Sequence, residues 1–192
     1  MTDVPALVLA SRSPRRLELL SQLGLAPRVV PADIDETPAA GENPVDYVRR
    51  VALEKAHVVL GREPDATIIA ADTTIDLDGT VIGQPADDAD ARRILGLLSA
   101  RTHRVHTAVA VVSDGHERVE VVTSLVTFHP LTDVMVDWYV GTGECAGKAG
   151  AYAVQGLGAA LVAGVRGSTS NVIGLPLRET ARLLGLRAPD AD

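Results

Sequence analysis

A short polar stretch near the start of the chain, Ser11-Arg12-Ser13-Pro14-Arg15-Arg16, contains the residue types that bind phosphate groups. An apolar run from Val4 to Ala10 precedes it, and leucines at helical spacing follow it as far as Gly24. The pattern predicts a buried strand, a tight loop and a helix capped by Ser13, with Pro14 at its first position.

The two arginines at the start of this helix have the wrong charge for their position. A helix N-terminus already carries a partial charge of roughly +0.5, so Arg15 and Arg16 are unfavourable there unless an anion lies beside them. Free backbone N–H groups, Ser11 and the two guanidinium groups would together bind a phosphate. The alternative is that both arginines extend into water.

The bulk composition limits the possible partners. The chain has 192 residues, is 46% hydrophobic and 22% charged, and has a formal net charge of −7. This balance fits a globular protein of one domain, or of two small lobes around a shared sheet. An acidic chain is poorly suited to binding duplex nucleic acid or an anionic membrane, so we expect neither partner and infer that any phosphate is held locally.

The single cysteine, Cys145, excludes an internal disulfide and fits a reducing compartment. The N-terminal apolar run is too short for a signal peptide, and no apolar run reaches the ~20 residues of a membrane helix. We therefore expect a soluble cytoplasmic protein in which Cys145 is buried or incidental.

Three further segments contain carboxylates or a lysine that could do chemistry. The loop Asp33-Ile34-Asp35-Glu36 is either a solvated turn or a cation site, and its spacing favours the turn. Asp72 follows a predicted strand, Thr67 to Ala71, at the end where α/β proteins place catalytic groups, although it could simply cap a turn. On a helix predicted to begin at Asn43-Pro44, Glu54 and Lys55 face either a cleft or solvent.

The second half of the chain predicts hairpins and then glycine-rich loops. Asp78-Gly79 and Asp114-Gly115 are strong hairpin turns between β-forming runs. His103 and His106 are three apart on a strand, which places them on opposite faces and predicts structural roles. Residues 141–174 contain 9 of the 17 glycines, which indicates close approach of the backbone to a ligand or to other segments.

One motif suggests a different enzyme. Ile75 to Val81 fits the aspartate-nucleophile motif of haloacid-dehalogenase-type phosphatases, with Asp76 as nucleophile and Asp78 as acid and base. That motif normally follows the first strand, and it requires a late acidic pair for Mg²⁺ that this chain lacks. The phosphatase remains an alternative, and the hairpin turn is the preferred interpretation.

Taken in order, several blocks resemble those of the Maf family of nucleoside triphosphate pyrophosphatases. The resemblance spans nearly the whole chain, and its specificity comes from the ordered set rather than from any one block. The blocks are Leu9-Ala10-Ser11-Arg12-Ser13-Pro14-Arg15-Arg16, Glu54-Lys55-Ala56, Ala71-Asp72-Thr73, Gly83-Gln84-Pro85, Lys148-Ala149-Gly150-Ala151-Tyr152 and Gly174-Leu175-Pro176-Leu177.

The resemblance implies an α/β fold of the Maf/inosine-triphosphatase type. Residues 1–192 would form a single domain, with two lobes around a long mixed β-sheet, a deep central cleft and no independent second domain. The resemblance also implies cleavage of a nucleoside triphosphate to the monophosphate and pyrophosphate, dependent on Mg²⁺ or Mn²⁺, usually by a homodimer. House-cleaning of nucleotide pools and a link to arrest of septum formation follow from the family role.

Within the family, Arg15, Thr73 and Gln155 resemble the positions that mark the dTTP/UTP branch. The 7-methyl-GTP branch tends to carry different residues there. We therefore expect pyrimidine triphosphates as substrates, modified ones included.

The resemblance suggests a role for each matching residue. Asp72 would be the general base and, with Glu36 and with help from Glu54, would hold the metal ion. Thr73 and Gln155 would contact the base or shape its pocket. The remaining predicted residues would bind the phosphates: Ser11, Arg15, Arg16, Lys55, Gln84 and Lys148.

Gln84 departs from the family pattern, which usually has lysine before this proline. The amide keeps its hydrogen-bonding groups but loses the positive charge, for which Lys55, Lys148 and the arginines could compensate. The substitution also leaves open a third function, that of a nucleotide sensor without catalysis.

Overall fold

The computed structural model describes residues 6–113 and 115–186, and within these ranges the chain forms seven strands and six α-helices. The strands are β1 (Leu7–Leu9), β2 (Arg28–Val29), β3 (Thr67–Leu77), β4 (Thr80–Ile82), β5 (Thr102–Ser113), β6 (His116–Phe128) and β7 (Val162–Arg166). The helices are α1 (Pro14–Gln22), α2 (Pro44–Leu60), α3 (Asp88–Leu98), α4 (Asp133–Gly141), α5 (Thr169–Ile173) and α6 (Leu177–Leu183). Two 3₁₀ turns lie at Ala149–Ala151 and Leu157–Leu161.

All seven strands belong to one mixed sheet, which confirms the α/β class. The order is β2-β1-β3-β5-β6-β7, and β4 pairs with the far end of β3. β1 runs parallel to β2 and β3, whereas the pairs from β3 through β7 are antiparallel. The long strands β3, β5 and β6 form the centre of the sheet.

The helix starts follow the predicted local signals. Pro14 begins α1 after Ser13, although the Ser13 side chain makes no capping hydrogen bond. Asn43 caps α2 through its side chain, which accepts a hydrogen bond from the Val45 N–H, and Pro44 occupies the first turn. Of the two predicted side-chain caps, the one at Asn43 is therefore confirmed and the one at Ser13 was wrong.

The core consists of three apolar clusters on the sheet. Helix α2 packs Val48, Val51 and Ala52 against one face of β3 and β5. Leu19 and Leu20 of α1 lie in a second cluster with α6 and the other face. The third cluster joins α3 and α4 to the distal ends of β3, β5 and β6. Aliphatic side chains dominate all three, as expected for a chain with 3% aromatic residues.

Two predicted strands have different lengths in the structure. The run Pro27 to Ala32 predicts a second strand from its sequence, but only Arg28–Val29 is strand, because Pro27 and Pro31 have no N–H to donate. β3 was expected to end at Ala71, but it continues to Leu77 and pairs with β5 from Ile68 to Asp76. Asp72 therefore lies within the strand, and its predicted position at the strand end was wrong.

Other predictions from the pattern are confirmed. Residues 78 and 79 turn between β3 and β4, and β5 and β6 form the second hairpin. Cys145 is buried. The sequence also predicts a frayed tail at 187–192, and this segment and the start of the first strand, Val4 and Pro5, lie outside the described residues. No helix within 6–113 or 115–186 combines the length and apolar character needed to cross a bilayer.

Candidate active site

A cavity of about 730 Å³ opens beside the middle of β3, between the start of α1, the loop after β2 and the segment 147–155. Its size falls in the usual range for small-molecule sites. The residues predicted to act in catalysis or to bind substrate or metal all line it: Ser11, Arg15, Arg16, Glu36, Lys55, Asp72, Thr73, Gln84, Lys148 and Gln155. Residues scattered over 145 positions of sequence thus share one cavity, as the ordered blocks require.

The cavity reverses the charge balance of the chain. Five cationic and three acidic side chains line it, although the protein as a whole has a formal net charge of −7. Lys55 and Lys148, the only two lysines of the sequence, are both among the cationic residues. A local excess of positive charge in an acidic protein favours an anionic ligand.

Lys55 joins the two carboxylates that were predicted to hold a metal ion. Its ammonium donates to Asp72 Oδ1 at 2.9 Å and forms an ion pair with Glu36 Oε2 at 2.8 Å. Lys55 comes from α2, Asp72 from β3 and Glu36 from the loop between β2 and α2. From the sequence, Lys55 could face either a cleft or solvent. The structure places it at the cavity, with 7% of its surface exposed.

Asp72 is a buried carboxylate with one free oxygen. Only 5% of the residue is exposed, and its Oδ2 has no hydrogen-bond partner among the described residues. Burial raises the pKa of Asp72 above its ordinary value, and Lys55 and Arg16 oppose this by favouring the charged form. A carboxylate of this kind is suited to taking up a proton or a cation.

Arg16 is held by three partners from distant parts of the chain. Its Nε donates to the Gly174 carbonyl at 2.9 Å, its Nη1 to Ser11 Oγ at 3.0 Å, and its Nη2 to Thr73 Oγ1 at 3.2 Å. Burial lowers the pKa of Arg16, and nearby Asp72 and Glu36 favour its charged form. The guanidinium group is therefore fixed in place before any ligand binds.

Thr73 connects this arginine to a buried polar network. Thr73 Oγ1 lies 3.0 Å from Thr107 Oγ1, and the Thr107 hydroxyl donates to the Asn171 carbonyl at 2.9 Å. Asn171 is fully buried and donates through Nδ2 to the Val105 carbonyl and to Ser124 Oγ. The Thr73 hydroxyl therefore already has two protein partners, Arg16 and Thr107.

Arg15 and Lys148 form a cationic wall of the cavity, close enough to each other to interact electrostatically. Burial lowers the pKa of both, and for Lys148 the nearby Arg15 charge lowers it further. Lys148 Nζ donates to the Glu144 carbonyl and lies 3.4 Å from the Ala146 carbonyl oxygen. An anion bound between Arg15 and Lys148 would relieve their mutual repulsion, which agrees with the interpretation of the helix start.

Tyr47 and Arg50 hold the loop that carries Glu36. The Tyr47 hydroxyl donates to the Glu36 carbonyl at 2.9 Å, and Arg50 donates to the Thr37 carbonyl at 3.3 Å. Arg50 also makes two hydrogen bonds to Glu42, and these lower the pKa of Glu42 to about 2. The cluster Asp33 to Glu36 is thus an ordered loop, with Glu36 directed to Lys55.

Gln84 and Gln155 lie at the exposed rim of the cavity. Gly150 N–H donates to the Gly83 carbonyl at 2.9 Å, which joins the Gln84 loop to the segment that follows Lys148. Gly150 has a φ of +71°, and a Cβ there would lie 2.2 Å from Ile75 Cδ1. This junction therefore requires glycine, as the glycine-rich composition predicted.

Several residues singled out in the sequence do not line this cavity. Glu54, suggested as a helper in metal binding, instead accepts hydrogen bonds from Arg50 at 3.2 and 3.3 Å. Asp78 lies in the β3–β4 turn and pairs with Arg101. Asp76 accepts from the Gly79 N–H and lies 3.2 Å from His106 Nε2, so both aspartates of the phosphatase motif have structural partners.

Sequence reasoning missed the residues that support the site from behind. Tyr47, Thr107 and Asn171 hold Glu36, Thr73 and Arg16, and their roles depend on contacts between distant elements. The one available signal was the hydroxyl- and amide-rich loop Ser168 to Asn171, which carries Asn171.

Comparison with known proteins agrees with this geometry. The sequence model described as "Maf: Maf-like protein" matches residues 6–186. The chain belongs to the Maf family. The matched range includes all ten cavity residues predicted from the family blocks.

Curated Maf relatives are similar over nearly their whole length. A dTTP/UTP pyrophosphatase of Myxococcus xanthus (strain DK1622) is 54% identical over 182 residues, covering 95% of this chain and 92% of the relative. A protein of the same name from Anaeromyxobacter dehalogenans (strain 2CP-1 / ATCC BAA-258) is 56% identical, covering 94% and 93%. One from Sphingopyxis alaskensis is 50% identical, covering 94% and 96%.

Among solved structures, the Staphylococcus aureus Ham1 protein has a TM-score of 0.48 and 16% identity to this chain. The match covers 64% of this chain and 71% of the other. The α/β assignment of this Maf protein rests on its own mixed sheet and on its family membership.

Proposed function

We propose that this Maf protein hydrolyses dTTP and UTP to the nucleoside monophosphate and pyrophosphate. The observation that carries the proposal is the cavity in which Lys55 joins the Asp72 and Glu36 carboxylates and which the cationic residues Arg15 and Lys148 also line. The names of the curated relatives, at 50 to 56% identity, support the same reaction and the same pyrimidine substrates.

The donor groups fit a divalent metal ion. The Asp72 and Glu36 carboxylates both lie beside Lys55 at the cavity. No cluster of three acidic, histidine or cysteine side chains suited to a metal occurs in the described part of the chain. Two carboxylates are nonetheless the usual protein contribution for Mg²⁺, because substrate phosphates and water complete its shell. Mg²⁺ or Mn²⁺ bound there would neutralise phosphate charge and polarise the scissile anhydride.

Asp72 acts in this proposal as the general base. A water molecule attacks the α-phosphorus, its proton passes to Asp72 Oδ2, and the bond from the α-phosphorus to the bridging oxygen breaks. Pyrophosphate leaves with the electrons of that bond. Lys55 occupies Asp72 Oδ1, which leaves Oδ2 as the carboxylate oxygen to accept the proton, and the raised pKa of Asp72 favours proton uptake.

The phosphate chain would lie along the cationic wall. Arg15, Lys55 and Lys148 neutralise its charge, and Arg16 presents the remaining N–H groups of a guanidinium already oriented by Gly174 and Ser11. Gln84 contributes amide hydrogen bonds at the rim. Orientation by groups fixed in advance lowers the entropic barrier to in-line attack.

The base would lie against Gln155. A glutamine side chain offers one acceptor and one pair of donors, which match the alternating oxygens and N–H of a uracil or thymine edge. Thr73 contributes through Arg16 rather than by direct contact, since its hydroxyl is already engaged. The pyrimidine preference extends in this proposal to modified pyrimidine triphosphates.

The cellular setting follows from the same proposal. One domain of two lobes would act on nucleotide pools in the cytoplasm as a homodimer, removing unwanted triphosphates, with a link to arrest of septum formation. The buried, unpaired Cys145 is compatible with a reducing compartment. No duplex nucleic acid or membrane partner is required.

Product analysis tests the proposed function against its alternatives. With UTP and Mg²⁺, we expect UMP and pyrophosphate in equal amounts from the wild type. The Asp72→Asn variant should lose at least about 100-fold in kcat and still bind UTP. Orthophosphate alone, with a dead Asp76→Asn variant and an active Asp72→Asn variant, would establish the phosphatase instead. Tight UTP binding without any product, at every Mg²⁺ or Mn²⁺ concentration, would indicate a nucleotide sensor.

A further inference from the structure

Glu144 follows α4 and is not among the residues that line the cavity. Its carboxylate accepts hydrogen bonds from three donors. The Tyr139 hydroxyl and the Gly158 N–H both donate to its Oε1 at 2.9 Å, and the Leu157 N–H donates to its Oε2 at 2.9 Å. Burial alone would raise the pKa of Glu144, but these three donors outweigh it and lower the pKa. The side chain is therefore a charged anchor for the turn at 157–158.

The chain around this carboxylate is fitted closely to it. A Cβ at Gly156 would lie 2.1 Å from Glu144 Oε2, and a Cβ at Gly158 would lie 2.6 Å from the Ala153 carbonyl. The Ala153 N–H donates to the Tyr139 hydroxyl at 3.1 Å, and that hydroxyl in turn donates to Glu144. Glu144 and Tyr139 thus hold the chain on both sides of residues 154–156.

Gln155 is the residue that this anchored turn presents to the cavity. Its side chain is exposed at the rim, and within the described residues no hydrogen bond holds its amide group. The position of that amide is therefore set by its backbone, which depends on Glu144 and Tyr139. The Lys148 ammonium contacts the Glu144 main-chain carbonyl, a bond that does not involve the carboxylate.

We propose that Glu144 is a positioning residue for base selection, whose carboxylate fixes the 153–158 turn so that Gln155 meets the pyrimidine edge. This inference rests on the proposed function and adds to it a residue outside the cavity. It separates base recognition, which depends on the hydrogen bonds of the Glu144 carboxylate, from phosphate binding, on which that carboxylate acts only through its charge near Lys148. The separation is measurable because UTP and CTP share their phosphates and sugar and differ at the base edge.

The test compares kcat/KM for UTP with kcat/KM for CTP in the full-length protein with Mg²⁺. We expect the UTP/CTP ratio to fall about tenfold in Glu144→Gln, because the amide cannot accept from both N–H groups and the hydroxyl as the carboxylate does. Inhibition by added pyrophosphate should remain within about twofold of wild type, since the phosphate contacts are intact. Glu117→Gln, at an exposed glutamate paired with His57, is the matched control and should leave the ratio unchanged.

A double-mutant cycle with Gln155→Ala distinguishes positioning from general support of the fold. Both single variants and the double variant should show the same reduced ratio, because Glu144 acts only through Gln155. A merely structural role would lower turnover of UTP and CTP equally and leave the ratio at the wild-type value. If Glu144→Gln does not fold, Tyr139→Phe is measured instead, because it removes the hydroxyl shared by Glu144 and Ala153 and keeps the aromatic ring.

Two results would overturn the inference while the proposed function stands. One is a wild-type UTP/CTP ratio in the folded Glu144 or Tyr139 variant. The other is a further fall in the UTP/CTP ratio when Glu144→Gln is added to Gln155→Ala. If the wild type releases no pyrophosphate from UTP, the proposed function fails, and the inference fails with it.

Discussion

The ammonium of Lys55 lies 2.9 Å from Asp72 Oδ1 and 2.8 Å from Glu36 Oε2, so one buried cation joins the two predicted metal-binding carboxylates. Both side chains of the Lys55–Asp72 pair are less than 10% exposed. Removing one partner of a buried pair leaves the other charge uncompensated, which typically destabilises a protein by about 3 to 5 kcal/mol. The pair therefore contributes to both the structure and the chemistry of the site.

The first prediction concerns Lys55→Met. Without the ammonium, Asp72 and Glu36 repel each other and Asp72 Oδ1 loses its donor, so we expect UTP turnover to fall at least about 100-fold. Lys148→Met is the matched control, since it removes the other lysine of the cavity without touching Asp72. It should raise KM for UTP more than it lowers kcat. Steady-state pyrophosphate release gives kcat and KM for both variants. A wild-type kcat in Lys55→Met would contradict the role of Lys55.

The second prediction concerns Arg16→Lys. The guanidinium of Arg16 donates to Gly174, Ser11 and Thr73 from three different nitrogens, and a lysine ammonium cannot reproduce that planar arrangement. We expect the free energy of unfolding to fall by about 2 kcal/mol and kcat/KM for UTP to fall about 100-fold. Chemical denaturation and steady-state kinetics provide the two values.

The control for Arg16 is Arg49→Lys on the exposed side of α2. That conservative change at a solvent-facing arginine should leave both stability and kinetics within error. Equal behaviour of the Arg16 and Arg49 variants would show that the three hydrogen bonds of Arg16 are dispensable.

Much of this fold was predictable from short-range signals. Asn43-Pro44 at the start of α2 and the turn at 78–79 act through their own backbone geometry, so their positions follow from local sequence. The length of β3 did not follow, because Asp72 to Thr74 interrupt its apolar pattern. Those polar residues line the cavity, and their strand conformation is set by pairing with β5.

The candidate site was predictable as a set of residues but not as an arrangement. The family resemblance and the acidic loop led to ten residues that the structure places around one cavity, and their roles stay predictions. The contacts that orient Arg16 and Glu36 come from Gly174 and Tyr47, which are distant in sequence. Such contacts depend on packing of the whole sheet, which no local pattern encodes.

The third prediction concerns Gln84→Lys. The side chain is exposed at the cavity rim, so a lysine would add a positive charge near the phosphates without burial. We expect KM for UTP to fall by a factor on the order of five, and less at high salt, since exposed charges contribute up to about 1 kcal/mol. Gln22→Lys, at an exposed glutamine that ends α1, is the matched control.

Comparing the two glutamine variants separates a local charge effect from the general field. A similar fall in KM for Gln22→Lys would show that net charge alone is responsible. A wild type that releases no pyrophosphate, together with an active Gln84→Lys variant, would support the sensor.

The fourth prediction concerns stability at acidic pH and depends on His103. The residue is 2% exposed, its Nε2 lies 2.8 Å from the Tyr152 hydroxyl, and its Nδ1 has no hydrogen-bond partner in the part of the chain that the structure describes. Burial lowers the pKa of His103 from 6.5 to about 4. The unfolded chain therefore binds a proton more readily, and the stability linked to neutral His103 is fully present above pH 6.5 and is lost as pH falls towards 4.

Protonation of His103 lowers the free energy of unfolding by at most about 3 kcal/mol over this pH range. Urea unfolding at pH 7.5 and at pH 4.5 measures it. We expect His103→Phe, which keeps a ring against Phe128, to lose less stability than wild type between these two values. His129→Gln, at an exposed histidine, should match the wild type. An identical pH dependence of wild type and His103→Phe would refute the role of His103.

The most direct test of the central claim is the position of isotopic oxygen after hydrolysis of UTP in H₂¹⁸O. Attack on the α-phosphorus, with Asp72 as general base, places one ¹⁸O atom in UMP and none in pyrophosphate. Phosphorus NMR or mass spectrometry of both products detects the label. We predict label in UMP alone, released at a rate that Asp72→Asn reduces at least about 100-fold. Label in pyrophosphate or orthophosphate, or a wild-type rate in Asp72→Asn, would contradict the account.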